Sequence, residues 1–220
     1  MFLSELVDIH DVNNSAEKWG AIITRDCKPF LKNVGSQPMY RGIKRRFISG
    51  LTTEVPRNDR VPLDSNPLAH EDLDKWFQAN YGFKPRSQGM FCTGNLGRAH
   101  RYGVACYVFP IGEFKYVWFS EKSSLYSGHY AVQDSLSVMK WIVTDGQRDQ
   151  EKIGKLFGKG GRFKIHTDNL KGALEQRAEV TIICKKAYLV PVEVAPDEDE
   201  EGEEFKVHYD TLIHPEDYRE

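Results

Sequence analysis

Residues 179–194 read Glu-Val-Thr-Ile-Ile-Cys-Lys-Lys-Ala-Tyr-Leu-Val-Pro-Val-Glu-Val. β-Branched and aromatic residues crowd both sides of Lys185-Lys186, a pattern typical of two short strands around a turn. The sequence therefore predicts strands at 179–184 and 187–194, and the first of them begins with a carboxylate, Glu179.

Runs earlier in the chain predict further strands. The first is centred on Met39-Tyr-Arg41. The apolar stretch 103–109 predicts a buried strand, and 114–119 alternates bulky apolar residues with others. Because only a short segment containing Pro110 and Gly112 separates these two runs, we expect them to form a hairpin. Shorter strands are predicted at 163–165 and 205–209.

One helix has start and stop signals at both ends. Ser65 or Asn66 can cap it, Pro67 suits its first position, and Gly82 follows its end. Its apolar positions form a stripe, Leu68, Leu73, Trp76 and Phe77. A second, short helix is predicted at 169–175, whereas the polar stretch 50–67 predicts a long loop. These elements together predict an α+β fold with mostly antiparallel sheets.

Composition bounds the domain organisation. The chain has 220 residues, 40% of them hydrophobic, which is enough for one core, and we expect a single domain over 1–220. Seven of the 32 acidic residues lie in one acidic loop, 196–204, so the rest of the chain has 30 basic and 25 acidic residues. A mildly basic body is compatible with a nucleotide or nucleic-acid ligand, and the loop can equally be solvated without a partner.

Other features of the composition argue against a secreted protein, a membrane protein and a metal- or disulfide-stabilised protein. The first ten residues contain Glu5 and Asp8 and offer no basic segment followed by a long apolar run, and no later stretch reaches membrane-spanning length. The four cysteines have no spacing typical of a metal site or disulfide framework. We expect a soluble cytoplasmic protein with reduced thiols and no metal.

Three residues suggest chemistry. Arg41 follows Tyr40 and precedes Gly42 on a predicted strand, where a guanidinium can bind a diphosphate bidentately. Thr93 ends the run Phe91-Cys-Thr and can hold a carboxylate. Glu179 can bind a ribose hydroxyl and stabilise the positive charge that develops as a glycosidic bond breaks. Each residue alone is also an ordinary strand or turn residue.

The order arginine, hydroxyl, glutamate resembles the signature of the ADP-ribosyltransferase superfamily. Its three motifs match Tyr40-Arg41-Gly42, Phe91-Cys92-Thr93 and Glu179, and the resemblance covers roughly residues 39–194. Parts of the region between 57 and 110 also look like uncharacterised bacteriophage proteins. The resemblance implies an ADP-ribosyltransferase-like fold of split, mostly antiparallel sheets with flanking helices. It also implies that NAD is the substrate.

The resemblance also implies roles for residues. Arg41 would hold the diphosphate or the nicotinamide ribose, Gly42 would contact the carboxamide through its backbone, and Thr93 would orient the catalytic Glu179. The full cofactor-binding set that we predict is Tyr40, Arg41, Gly42, Phe91, Thr93 and Phe119. Phe119 is expected to stack on nicotinamide, with Tyr102 and Tyr126 as alternatives. Arg57, Arg60 and Arg177 are expected to contact the acceptor or a phosphate, as is Arg86.

The chain departs from the family at two places. The second motif is Cys92-Thr93-Gly94 instead of Ser-Thr-Ser, and Arg177 stands two residues before Glu179, where family members carry Glu or Gln. Modification of arginine side chains is therefore disfavoured, whereas Arg177 suits a phosphate-bearing acceptor. The resemblance thus implies a mono-ADP-ribosyltransferase, phage-encoded and acting on a host protein or nucleic acid in the host cytoplasm. The alternatives are an NAD glycohydrolase and a non-catalytic binding module.

A glycine-rich stretch in the second half of the chain does not match a phosphate-binding loop. The stretch 154–161, Gly-Lys-Leu-Phe-Gly-Lys-Gly-Gly, has three residues between its first glycines, where a phosphate loop has four, and no Ser or Thr after the lysine. It predicts a flexible turn.

Overall fold

Strands of one antiparallel sheet dominate the computed structural model, which describes residues 9–44, 50–60, 66–122, 129–133, 138–140, 142, 150–194 and 205–214. The strands are β1 Tyr40–Ile43, β2 Thr52–Glu54, β3 Met90–Thr93, β4 Val104–Pro110, β5 Phe114–Lys122, β6 His129–Ala131, β7 Phe163–His166, β8 Glu179–Cys184, β9 Ala187–Pro191, β10 Glu193–Val194 and β11 Phe205–Lys206. The helices are α1 Ile9–Asp26, α2 Lys28–Val34, α3 Pro67–Tyr81, α4 Pro85–Gln88, α5 Leu96–His100, α6 Gln150–Phe157, α7 Leu170–Glu175 and α8 Tyr209–Ile213.

The strand order is β2-β9-β4-β1-β3-β8-β5-β6. β7 pairs with the edge of β5 that is opposite β8 and β6, and β10 pairs separately with β11. All of these pairs are antiparallel. The helices pack against the sheet through two apolar cores. The predicted α+β class, with a mostly antiparallel sheet and flanking helices, is confirmed.

The sheet consists of two halves that meet between β1 and β3. β3 pairs with β8 along its whole length, and β1 pairs with β4 in the same way. Between β1 and β3, however, the register contains one pair, Tyr40 with Thr93. This is the shortest pairing in the sheet, so the two halves have little backbone ladder in common at this point.

The predicted hairpin between 103–109 and 114–119 is wrong. β4 lies between β1 and β9, whereas β5 lies beside β8, in the other half of the sheet. The connecting segment is held by other elements, since the Ile111 N–H donates to the Lys186 carbonyl and the Gly112 N–H to the Asp26 carbonyl, both at 3.0 Å. These bonds carry the chain away from β4, whose two edges are already paired.

Two other expectations need correction, and two lie outside the structure. The predicted loop 50–67 contains β2, whose Thr52 and Thr53 pair with β9. The first half of the glycine-rich stretch, 154–157, is helical, because α6 places Ile153 in an apolar core; the chain then turns at 158–161. The acidic loop 196–204 and Tyr126 fall outside the described residues.

Helix α3 forms as its signals predict. The Asn66 side chain accepts the backbone N–H groups of Leu68 and Ala69, and Gly82 ends the helix in the left-handed region at φ 75°. Its Leu73 and Phe77 are fully buried against β5 and α6 in the second core. Two further residues of this face, His70 and Asp74, are polar and also buried.

None of the helices in the described ranges combines the length and the apolar character needed to cross a membrane.

Candidate active site

Three neighbouring strands bring the predicted site residues together. β1 lies beside β3, and β3 lies beside β8. Tyr40 is the register partner of Thr93, and Thr93 is in turn the partner of Glu179. Directly opposed residues of antiparallel strands project from the same face, with Cβ atoms about 5 Å apart. Thr93 and Glu179 therefore share a face with Tyr40. Arg41 is the next residue of β1, so its side chain leaves the strand from the other face.

Arg41 reaches across the short pairing between β1 and β3. Its Nη1 donates to the Phe91 carbonyl oxygen at 3.3 Å, and its Nη2 lies 3.3 Å from Oε1 of Glu54. Its Nε is buried and has no hydrogen-bond partner in the part of the chain that the structure describes. The guanidinium is thus fixed from two sides, and one of its donors is unused.

Thr93 and Glu179 are fixed through their backbones and near neighbours. The Thr93 hydroxyl accepts the Asn95 N–H at 3.1 Å, which leaves its own hydrogen for a second partner. The Glu179 N–H donates to the Val132 carbonyl at 3.0 Å, and its side chain is half-buried. The orientation of Glu179 by Thr93 stays a prediction, and the shared face is compatible with it.

Gly42 has a packing role that the sequence did not predict. A Cβ at this position would lie 2.1 Å from the Ala99 carbonyl oxygen and 2.7 Å from Cβ of Tyr102, so only glycine lets α5 approach β1 this closely. The neighbouring Tyr40 ring packs on Tyr107 at 5.5 Å between centroids, and burial raises the pKa of Tyr40. The predicted contact of Gly42 with a carboxamide stays a prediction.

Two arginine side chains stack on the ring of Phe91. The guanidinium carbons of Arg60 and Arg86 lie 4.0 Å and 4.4 Å from the centroid of its ring. Since the Phe91 carbonyl also accepts from Arg41, three guanidinium groups meet around one residue of β3. We call Arg41, Arg60 and Arg86 the arginine cluster.

The arginine cluster lies next to Glu179. Burial, with the charges of Arg41 and Arg86, lowers the pKa of Arg60 to about 10, while Glu179 acts in the opposite direction. Arg60 remains protonated at neutral pH. The cluster therefore brings guanidinium groups beside the proposed catalytic carboxylate.

Asp74 and His70 support this cluster, and sequence reasoning missed both. The Asp74 carboxylate accepts the backbone N–H groups of Arg86 at 2.7 Å and Ser87 at 2.9 Å. Burial lowers the pKa of His70, whose Nε2 is 3.8 Å from Asp74. A signal was present, because 70 and 74 share the helical face of the buried Leu73 and Phe77, where polar residues are unusual.

Two other predicted residues have their described side-chain contacts outside the arginine cluster. Arg57 is 72% exposed and its Nε lies 3.2 Å from Asp59, whereas Arg60, three residues later, belongs to the cluster. Phe119 is 5% exposed in the second core, where its ring packs on Phe77 and Phe157. The alternative ring, Tyr102, is 45% exposed beside Gly42. The ligand contacts of these residues stay predictions.

Arg177 stands in an unusual backbone conformation two residues before Glu179. Its φ is 58°, the left-handed region that favours glycine. The Arg177 N–H donates to the Leu174 carbonyl and the Ala178 N–H to the Ala173 carbonyl, the bonding pattern with which helices commonly end on glycine. The exposed arginine therefore occupies a position at which its Cβ is unfavourable.

We expect Arg177→Gly to stabilise the protein by about 1 kcal/mol, because glycine adopts this conformation without strain. For a chain of this size the melting temperature should rise by about 2–4 °C, which differential scanning calorimetry would measure. Arg177→Ala is the matched control, since it removes the guanidinium but keeps the Cβ. If the alanine variant were stabilised as much as the glycine variant, the side chain and not the backbone would be the cause.

The cysteines and the possible metal ligands are two further groups of reactive side chains. All four cysteines are free, and burial raises the pKa of each thiol, to about 11 for Cys184 and about 12 for the other three. No group of three or more His, Cys, Asp or Glu side chains within the described ranges is arranged to hold a metal ion.

Comparisons of the chain with protein-family models, with curated proteins and with solved structures gave no match. The assignment of a function therefore depends on the residues of the site themselves.

Proposed function

We propose that the protein is an NAD-dependent mono-ADP-ribosyltransferase, which transfers ADP-ribose from NAD to a host protein or nucleic acid and releases nicotinamide. One observation carries this proposal. Arg41, Thr93 and Glu179 are far apart in sequence, yet they lie on three adjacent strands, with Thr93 and Glu179 in direct register. This supports the arginine, hydroxyl, glutamate order as a site and not a coincidence of composition.

The proposed reaction breaks the bond between C1′ of the nicotinamide ribose and the ring nitrogen. Nicotinamide leaves with the bonding electrons, so positive charge develops on the ribose. The Glu179 carboxylate accepts a hydrogen bond from a ribose hydroxyl and stabilises that charge. A nucleophilic oxygen or nitrogen of the acceptor then bonds to C1′ and loses its proton.

Arg41 supplies the other end of the site. Its guanidinium has a buried Nε without a partner in the described ranges, and its fork suits a phosphate oxygen. Arg60 interacts electrostatically with both Arg41 and Glu179, so one extended ligand at Arg60 can contact both the arginine and the glutamate. In NAD the diphosphate adjoins the nicotinamide ribose, so the phosphate would lie at Arg41 and the ribose at Glu179.

Hydrolysis of NAD is the second candidate. Arg177 is exposed and precedes Glu179 by two residues, where arginine-modifying relatives in the resembled superfamily carry Glu. Water would then attack C1′, and the products would be ADP-ribose and nicotinamide. Both candidates cleave the same bond of NAD. They differ in whether a macromolecule or water accepts the ADP-ribose.

The proposal is tested with NAD that carries a radiolabel on the adenylate phosphate. The protein is incubated with labelled NAD alone, with cell lysate and with purified nucleic acid. We expect label to move to macromolecules, and protease or nuclease treatment identifies the acceptor class. Free ADP-ribose in every reaction would establish hydrolysis instead. Unchanged NAD in all three would refute both enzymatic candidates and leave a binding module.

A further inference from the structure

We infer that the protein binds single-stranded nucleic acid on an exposed surface formed by the end of α5, the residues that follow it and the end of β1. We call this surface, which consists of Lys44, His100, Arg101 and Tyr102, the α5 surface. All four residues are exposed, and Tyr102 is 45% exposed. Basic side chains around an exposed ring suit a single strand, because the cations contact its phosphates and the ring stacks on a base.

Close backbone packing brings these residues together. Gly42 permits the approach of Tyr102, since a Cβ at position 42 would lie 2.7 Å from Cβ of Tyr102. Gly103, at φ 123°, permits a second approach, because a Cβ there would lie 3.2 Å from the backbone nitrogen of Lys44. Lys44 is therefore a spatial neighbour of Arg101 and Tyr102, although the two segments are far apart in sequence.

The two chain segments that form the α5 surface contain no acidic residue. Residues 27–53, which include β1, contain six Lys and Arg residues and no Asp or Glu. Residues 75–112, which include α5, contain five Lys and Arg residues and again no Asp or Glu. The whole chain, by contrast, has a formal net charge of −2. Positive charge is thus concentrated in the part of the chain from which this surface is built.

The basic residues of the α5 surface are not neutralised by the described part of the chain. Lys44, His100 and Arg101 form no ion pair within it, whereas Arg41 pairs with Glu54. An exposed surface with excess positive charge attracts a polyanion, and a nucleic acid supplies one negative charge per nucleotide. An acidic protein segment would match the charges but would leave the Tyr102 ring without a base to stack on.

The α5 surface lies beside the candidate active site. α5 begins at Leu96, three residues after Thr93. Its Arg98 donates to the carbonyl of Gln133, in the segment directly after the backbone partner of Glu179. A nucleic acid bound to this surface can therefore serve as the acceptor of ADP-ribose. That role, unlike the binding itself, rests on the proposed function.

Oligonucleotide binding in the absence of NAD tests the inference. Fluorescence anisotropy measures the affinity of the protein for labelled single strands of DNA and RNA of about 15 nucleotides, and for a duplex of the same length. We expect a single strand of either kind to bind more tightly than the duplex, because only unpaired bases can stack on Tyr102. Tyr102→Ala should weaken single-strand binding by about fivefold to a hundredfold. Tyr102→Phe keeps the ring and should bind like the wild type.

The salt dependence of binding tests the basic residues. The logarithm of the association constant should fall linearly with the logarithm of the salt concentration, and Arg101→Ala should reduce the slope by about 0.7, the value for one phosphate contact in a single strand. Tyr130→Ala and Arg25→Ala are the matched controls and should bind like the wild type. Tyr130 is 51% exposed on β6 and donates to Glu121, and Arg25 is exposed and paired with Asp26.

Wild-type affinity in a folded Tyr102→Ala variant would overturn the inference. So would duplex binding as tight as single-strand binding, an unaltered salt slope in Arg101→Ala, or the absence of any binding by the wild type. If Tyr102→Ala does not fold, the salt slope of Arg101→Ala decides the outcome.

The outcome separates this inference from the proposed function. Single-strand binding that depends on Tyr102, without cleavage of NAD, would uphold the α5 surface and refute the enzyme. Cleavage of NAD by a protein that binds no oligonucleotide would do the reverse.

Discussion

Glu179→Gln is expected to lower the rate of NAD cleavage by about 10³-fold, the usual scale for removing an electrostatic or acid–base group from a transition state. The amide has nearly the shape of the carboxylate but cannot stabilise a positive ribose as strongly. Binding of ADP-ribose should change much less, since its diphosphate contacts are unaffected. Release of labelled nicotinamide measures the first quantity, and calorimetry measures the second.

The matched control for this variant is Glu175→Gln. Glu175 lies four residues earlier, is exposed on α7 and is 3.9 Å from Lys171, so its replacement should leave the rate unchanged. Thermal denaturation must show that Glu179→Gln is folded, which we expect because the backbone bond to Val132 is retained. Full activity in a folded Glu179→Gln variant would remove Glu179 from the catalytic role.

Arg41→Ala is expected to weaken NAD binding by about tenfold to a hundredfold. The change removes the guanidinium that lies between Phe91 and Glu54 and the unused Nε donor that faces no partner in the described ranges. It also leaves the Glu54 carboxylate without its cation, so a loss of stability of about 1 kcal/mol is expected as well. Equilibrium titration with NAD measures the affinity, and urea denaturation measures the stability.

Two further variants serve as controls for the effect of Arg41→Ala on NAD binding. Arg25→Ala removes an exposed arginine at the end of α1 and should alter neither quantity. Arg41→Lys retains a charge but not the fork, and we expect an affinity between those of the wild type and the alanine variant. Unaltered affinity for NAD in a folded Arg41→Ala variant would take away the main support for an NAD site at this place.

Local signals allowed the sequence to predict α3, because its cap, its first proline and its terminal glycine each act within a few residues. The pairing of β4 with β5 was predicted wrongly for the opposite reason. Adjacency in sequence favours a hairpin, but β4 pairs with β1 and β9, and the first part of β5 pairs with β8. These partners lie tens of residues away along the chain. Such long-range competition between edges leaves no mark in a short window of sequence.

The candidate site was predictable to the extent that it consists of strand residues. Arg41 and Glu179 each occupy a strand that the sequence predicts, and Thr93 ends a run that matches the second family motif, so the order of the three could be proposed in advance. The stacking of Arg60 and Arg86 on Phe91 was not predictable, since it depends on how α4 is anchored to α3. Asp74 provides that anchor, and its helical spacing from His70 and Leu73 was the available indication.

Because the ladder between β1 and β3 is short, Arg41 helps to join these strands in addition to its proposed role in ligand binding. In a longer antiparallel ladder, backbone amides of β1 would approach the carbonyls of β3, whereas here a guanidinium donates to the carbonyl of Phe91. A side chain thus substitutes for a length of strand and joins the two halves of the sheet. Selection for a stable fold and selection for ligand recognition would therefore act on the same residue, and a variant at Arg41 could lose its function by either route.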